Sequence, residues 1–184
     1  TTDTLVVAGS ATVTISDANT TAIDATDLSA IGAKTSGAVT VTNAIAISGT
    51  QAEVTAALVT TDTLVVAGSA TVTISDAVTI AQLTAIDAKT SGTITYTSIS
   101  DTASNLAANT GSYVTGAVDV TITDGITAAQ LVTINALTSG EITLNDTNDT
   151  LTDSTADLVA AFTGTVTAYT GAITINDANT TAIT

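Results

Sequence analysis

Short alternations of β-branched and hydroxyl residues recur along the chain, each closing on an aspartate: Val13-Thr-Ile-Ser-Asp17, Val72-Thr-Ile-Ser-Asp76, Val120-Thr-Ile-Thr-Asp124 and Ile173-Thr-Ile-Asn-Asp177. The period is two, which predicts strands; in Thr71-Val-Thr-Ile-Ser75, Val72 and Ile74 face a core while Thr71, Thr73 and Ser75 face out. Behind three of these anchors the period lengthens toward that of a helix, in Asp27-Leu-Ser-Ala-Ile31, Ile80-Ala-Gln-Leu-Thr-Ala-Ile86 and Ala128-Ala-Gln-Leu-Val-Thr-Ile134. Each of these segments runs into a Ser-Gly turn (Ser36-Gly37, Ser91-Gly92, Ser139-Gly140) and then a second predicted strand: Ala38–Thr42, Thr93–Thr97 and Glu141–Asn145. A second short helical segment follows at Gln51–Val54, Thr102–Leu106 and Ser154–Leu158, with Val54, Leu106 and Leu158 at equal steps of 52 residues. Thr79-Ile-Ala-Gln82, Thr127-Ala-Ala-Gln130 and Thr50-Gln-Ala-Glu53 match the capping box, in which hydroxyl and amide or carboxylate satisfy free N–H groups at a helix start.

These elements belong to one repeated unit. Thr1–Ala18 recurs letter for letter as Thr60–Ala77, and the anchor aspartates Asp17, Asp76, Asp124 and Asp177 are separated by 59, 48 and 53 residues. Residues 1–184 therefore read as one continuous segment of about three and a half units, each of strand, helix, strand and helix in two coils. One coil cannot bury its apolar face; stacked coils can. The predicted fold is a repeat solenoid with a parallel β-sheet. The capping boxes favour an α/β solenoid broadly like a leucine-rich repeat, while the abundant Thr, Val and Ile keep an all-β parallel β-helix as the alternative. The chain stops inside a unit at Thr180-Thr-Ala-Ile-Thr184, and neither end reads as a capping repeat, so a segment of a longer chain is expected.

Charge narrows the choice of function. Seventeen acidic residues stand against two lysines, with no histidine, for a formal net charge of −15. Such a surface repels phosphate backbones and anionic membranes, which argues against nucleic-acid binding. No run of about twenty apolar residues occurs, so no membrane insertion is expected. Without cysteine there are no disulfides and no thiol chemistry, and without histidine, cysteine or arginine the usual nucleophile–base pairs cannot be assembled. One Phe, three Tyr and no Trp leave little to line a ligand pocket. Paired carboxylates could in principle serve glycoside hydrolysis, but nothing marks any pair as special.

The candidate metal ligands are Asp17, Asp76, Asp124 and Asp177. In stacked coils they would form a file of like charges that a hard cation such as Ca²⁺ would relieve. The competing reading, in which each aspartate caps the helix or turn that follows it, needs no metal and is favoured. Asn145-Asp-Thr-Asn-Asp149 with Asp153 only loosely resembles a Ca²⁺ loop and reads as a solvated turn. Thr-x-Thr pairs at Thr12/Thr14, Thr40/Thr42, Thr71/Thr73, Thr93/Thr95, Thr121/Thr123 and Thr165/Thr167 would form ranks resembling the flat threonine arrays of β-solenoid antifreeze proteins. Outward threonine on a strand explains them more simply. Lys34 and Lys89 precede Thr-Ser-Gly at helix ends, where a cation suits the dipole. The Asn-x-Thr sequons at Asn19, Asn145, Asn148 and Asn179 arise readily by chance in so threonine-rich a chain.

Val72–Gly92 and Ile99–Ala107 resemble the Thr/Ala-rich repeats of very long bacterial secreted and surface proteins, particularly those of cyanobacteria. The resemblance covers essentially the whole chain and implies an extracellular or cell-surface repeat module. The expected function is a non-enzymatic structural module of a fibre or adhesin, acting by coil stacking and end-to-end association. Its partners would be copies of itself or adjoining repeats. The alternative is a binding module for carbohydrate or Ca²⁺-dependent adhesion, with ice binding behind it.

Overall fold

The alternating runs pair as parallel strands in the computed structural model, which describes residues 9–145, 150–167 and 169–177. The protein is an α/β fold of parallel sheets and, among the described residues, six α-helices. The segments predicted as helical are helices and not further strands, so the all-β alternative does not hold. Contacts divide the chain into two units, Thr1–Ala77 with Ala81–Tyr96, and Val78–Ile80 with Thr97–Thr184.

In the first unit, β1 (Val13–Ile15), β2 (Ala22–Asp24) and α1 (Ala25–Gly32) are followed by β3 (Val39–Val41), β4 (Ala46–Gly49) and α2 (Gln51–Leu58). A 3-10 turn at Thr61–Thr63, β5 (Val65–Val66) and β6 (Thr71–Ile74) lead to α3 (Ile80–Asp87) and β7 (Ile94–Thr95). One sheet has the order β1-β3-β5 and the other β2-β4-β6-β7. Every pairing is parallel, with Val13 opposite Val39, Val39 opposite Val65, and Ile47 opposite Val72. In β6, Val72 and Ile74 are buried and Thr71 and Thr73 exposed, as alternation requires. Leu28, Ile47, Val54, Leu58 and Leu83 form much of the buried apolar interior.

The second unit repeats the plan with β8 (Ser98–Asp101), α4 (Ala103–Ala108), β9 (Asp119–Ile122) and α5 (Ala128–Leu137). β10 (Ile142–Leu144), β11 (Leu151–Asp153), α6 (Thr155–Ala161) and β12 (Ile173–Ile175) complete it. β8, β9 and β10 form one parallel sheet, with Ile99 opposite Val120 and Val120 opposite Ile142, and β11 pairs with β12. Ile99, Leu106, Val120, Leu131 and Ile142 fill its interior.

The helices are 6 to 10 residues long. Isolated helices shorter than about 12–15 residues are marginal in water, so packing and capping must hold these in place. Local capping boxes form at Thr50/Glu53 and at Thr127/Gln130, while the Thr102 and Ser154 hydroxyls accept from Asn105 and Asp157 N–H.

Each Thr-Ser-Gly turn grips chain 20 to 27 residues earlier. The Thr90 hydroxyl, buried, donates to the Ala70 carbonyl at 2.5 Å and accepts the Gly92 N–H at 3.0 Å. Thr138 does the same with Val118 and Gly140, at 2.6 and 2.9 Å, and Thr35 with Ala11 and Gly37, at 2.5 and 2.9 Å. The next residue, Ser36, Ser91 or Ser139, donates its N–H to the carbonyl of Gly9, Gly68 or Gly116. The glycines are required by close approach: a Cβ on Gly37, Gly92 or Gly140 would collide with the carbonyl of Ala11, Ala70 or Val118. Lys34 and Lys89 follow the C-termini of α1 and α3, with their N–H groups on Ile31 and Ile86 carbonyls, so their charge lies at the negative end of the dipole.

Because backbone cannot yield as a side chain can, Gly92→Ala is expected to lower stability by about 1–3 kcal/mol in urea denaturation. Gly68→Ala should change little, since a Cβ there meets open space at an ordinary φ. Equal effects at the two positions would refute the close-approach account.

Candidate functional site at the helix-capping aspartates

A helix start leaves N–H groups without intrahelical partners, and an acceptor near them also meets the positive end of the dipole. Here that acceptor arrives from later in the chain. The Asp76 carboxylate accepts the N–H of Gln51, first residue of α2, at 2.6 Å. Asp101 accepts the N–H of Ile80, first residue of α3, at 3.0 Å; Asp124 accepts that of Ala103, first in α4, at 2.7 Å. Asp177 accepts from Thr155, first in α6, at 3.0 Å and also takes its hydroxyl proton.

Parallel register produces these contacts. Gly49 lies opposite Ile74, so two residues on Gln51 lies opposite Asp76. The same offset carries the pairings Val78–Ile99, Asp101–Ile122 and Asp153–Ile175 to Ile80–Asp101, Ala103–Asp124 and Thr155–Asp177. The capping reading of the anchor aspartates therefore needs a correction. Asp76, Asp124 and Asp177 cap the helix of the preceding segment and not the one that follows, because each anchor strand lies beside the strand that leads into that earlier helix.

Asp101 has no place among the anchor aspartates and carries more than any of them. It is 7% exposed, and besides Ile80 its carboxylate accepts the Thr102 N–H and the Asn105 side-chain amide, each at 2.8 Å. Its signal in the sequence was Ser98-Ile-Ser-Asp101, an alternation closing on aspartate like the others. At α1 the column is interrupted. Gly49 stands opposite Ala25, one step beyond the Asp24–Ser48 pairing, and no side chain caps this helix. Asp17 is exposed; its backbone carbonyl accepts the Asn43 side-chain amide, but no described residue donates to its carboxylate.

The carboxylates of Asp76, Asp101, Asp124 and Asp177 are thus each engaged with a backbone amide, and that of Asp17 is not. Among the described residues no group of three or more Asp and Glu is placed to hold a metal ion. Of the Asn145–Asp153 cluster, Asp146 to Asp149 lie outside the described residues, and Asp153 accepts the Ser154 N–H at 2.9 Å. The threonine ranks are real but mixed. Thr14 lies opposite Thr40, Thr73 opposite Thr95, and Thr121 opposite Thr143, yet Thr40 also meets Val66 and Thr73 meets Ser48. The Thr42 and Thr167 hydroxyls turn back to neighbouring carbonyls, Ile15 and Ile142, at 3.3 and 3.1 Å. An open depression of about 430 Å³ beside Thr35, Ser36, Thr61 and Asp62 is lined by no aromatic ring. No helix of the described residues is long and apolar enough to cross a membrane.

Asp124→Ala should cost about 1 kcal/mol in stability, and Asp124→Asn much less, because an amide oxygen still accepts the Ala103 N–H. Asp101→Ala should cost about 2–3 kcal/mol, since three donors lose one charged acceptor. Asp87→Ala is the reference: this exposed carboxylate lies in the last turn of α3, where removing negative charge favours the helix. Chemical denaturation of the four variants measures the order, and a cost at Asp87 equal to that at Asp124 would reduce the caps to bulk charge.

No family model, curated protein or solved structure matches this chain, so the capping aspartates and the interlocked turns are what its function is read from.

Proposed function

We propose that the protein is a non-enzymatic structural module whose strand–helix segments are successive coils of an α/β solenoid. In this reading it lengthens an extracellular or cell-surface fibre by stacking against copies of itself or adjoining repeats. One observation carries the reading: at four helices the capping acceptor comes from the next segment, at the same register position each time. A segment built this way is incomplete until another lies against it. That dependence suits a protein whose product is length, because each added coil finishes the previous one and leaves its own last helix to be finished.

The acidic surface fits an environment rich in salt. With a formal net charge of −15, neighbouring modules repel at long range and approach closely only when ions screen them. Assembly is therefore expected to rise with ionic strength.

Electron microscopy and diffraction of concentrated protein in about 0.15 M salt test the proposal. Filaments whose strands lie across the axis should give a meridional spacing of about 4.8 Å, the distance between neighbouring strands. Dispersed monomers that instead bind glycans on an array would sink it and favour the adhesin alternative.

A further inference from the structure

Of the aspartates in this chain, one alone is followed by glycine. Asp76 precedes Ala77, Asp101 precedes Thr102 and Asp177 precedes Ala178, but Asp124 precedes Gly125, and the sequence contains no Asn-Gly pair. The pair has a chemical meaning. The amide nitrogen after an aspartate can attack that residue's own side-chain carbon and close a cyclic imide. A side chain on the following residue crowds this approach; glycine has none and turns freely into the geometry required.

The surroundings of Asp124 leave the nucleophile free and hold the electrophile. The chain bends at Asp124, past the end of β9 and before α5, with Asp124 exposed and Gly125 half-buried. Among the described residues no acceptor takes the Gly125 N–H. At Asp101, by contrast, the carboxylate itself accepts the following N–H, that of Thr102, at 2.8 Å. What restrains Asp124 is its cap, for its carboxylate accepts the Ala103 N–H at 2.7 Å. Ala103 lies on the neighbouring segment and Gly125 on the aspartate's own, so turning the carboxyl carbon toward one carries its oxygens away from the other.

We propose that Asp124–Gly125 is a site of spontaneous backbone isomerisation, gated by the cap on α4 and destroying that cap as it proceeds. The Gly125 nitrogen forms a bond to the Asp124 side-chain carbon. One carboxyl oxygen leaves as water, taking the amide hydrogen and a proton from solvent, and the cyclic imide remains. Water then opens the imide in one of two ways. Attack at the side-chain carbonyl restores aspartate, whereas attack at the main-chain carbonyl gives isoaspartate, whose backbone runs through the former side chain. The product carries one more methylene in the backbone between β9 and α5, and its free carboxylate stands directly on Cα, short of Ala103. α4 then keeps only its local Thr102 cap. Isoaspartate accumulates with time, so a folded chain loses this contact as it ages.

Incubation of the folded full-length protein in neutral heavy-oxygen water tests this, since hydrolysis of the imide leaves one solvent oxygen in the residue. Label should build up at Asp124 and not at Asp76, an exposed carboxylate that also caps a helix but precedes alanine. A protease that cuts at aspartate and not at isoaspartate should progressively fail at Asp124, and Gly125→Ala should bring the label there down to that of Asp76. Ala103→Pro removes the capped N–H at the first helical position, after an already extended Thr102, where proline is accepted. It should raise the labelling rate about fivefold, the factor that a cap of ~1 kcal/mol represents. Isomerised protein should exchange its Ala103 amide faster than fresh protein. Equal label at Asp124 and Asp76 overturns the site. A rate that Ala103→Pro leaves unchanged overturns the gate; should that variant not fold, the parent in urea supplies the uncapped rate, and labelling no faster there than in the native chain overturns the gate equally. Unchanged Ala103 exchange after isomerisation overturns the loss of the cap.

Discussion

Parallel strands separated by 21 to 26 residues impose a condition that the rest of the structure obeys: whatever stands two residues past one strand lies over whatever stands two residues past the strand before it. In this chain the upper residue is repeatedly aspartate and the lower one the first residue of a helix. A charged acceptor is thereby delivered to a backbone donor with no loop of its own. The helices are too short to stand alone, and α2, α3, α4 and α6 draw part of their stability from the neighbour that supplies the cap. The Thr-Ser-Gly turns apply the same logic with neutral groups, through a hydroxyl that both donates to an earlier carbonyl and accepts a later amide.

The two kinds of contact divide the work along the chain. Aspartate caps act at helix starts; the turns act where helices end and strands resume. Between them run the buried Val, Ile and Leu of the strands and helices, with no aromatic residue among the largest fully buried side chains. Small side chains permit the close spacing on which both contacts rely. A Cβ at Gly92 or a longer side chain at Thr90 would push the segments apart and lengthen the hydrogen bonds beside it.

Much of this was legible in the residues. Strict alternation in Val72–Ile74 placed a strand and its buried face, and the capping boxes at Thr50 and Thr127 placed helix starts, because these signals act within a few residues. The brief strands β2, β4, β8 and β11 were not anticipated. Each abuts a helix, so its period of two is cut off after three or four residues before it can be told from a cap. The aspartates were recognised as caps but assigned to the wrong helix. Sequence proximity favours the following helix, whereas register, which no local pattern encodes, favours the preceding one. Asp101 was overlooked for a related reason: its strand lacks the Val-Thr-Ile core of the anchors, although its carboxylate is the most heavily engaged of all.

The offset between a cap and the helix it serves has an evolutionary consequence. Cap and helix start, or hydroxyl and carbonyl, lie on different segments, so a single segment copied and stacked in register on its original would set helix start over helix start and aspartate over aspartate, and the original helix would lose its cap. Unequal crossing-over can lengthen such a gene harmlessly only in steps that carry both members of each contact. The letter-for-letter recurrence of Thr1–Ala18 as Thr60–Ala77, two segments apart, has the size of step that such a constraint would let survive.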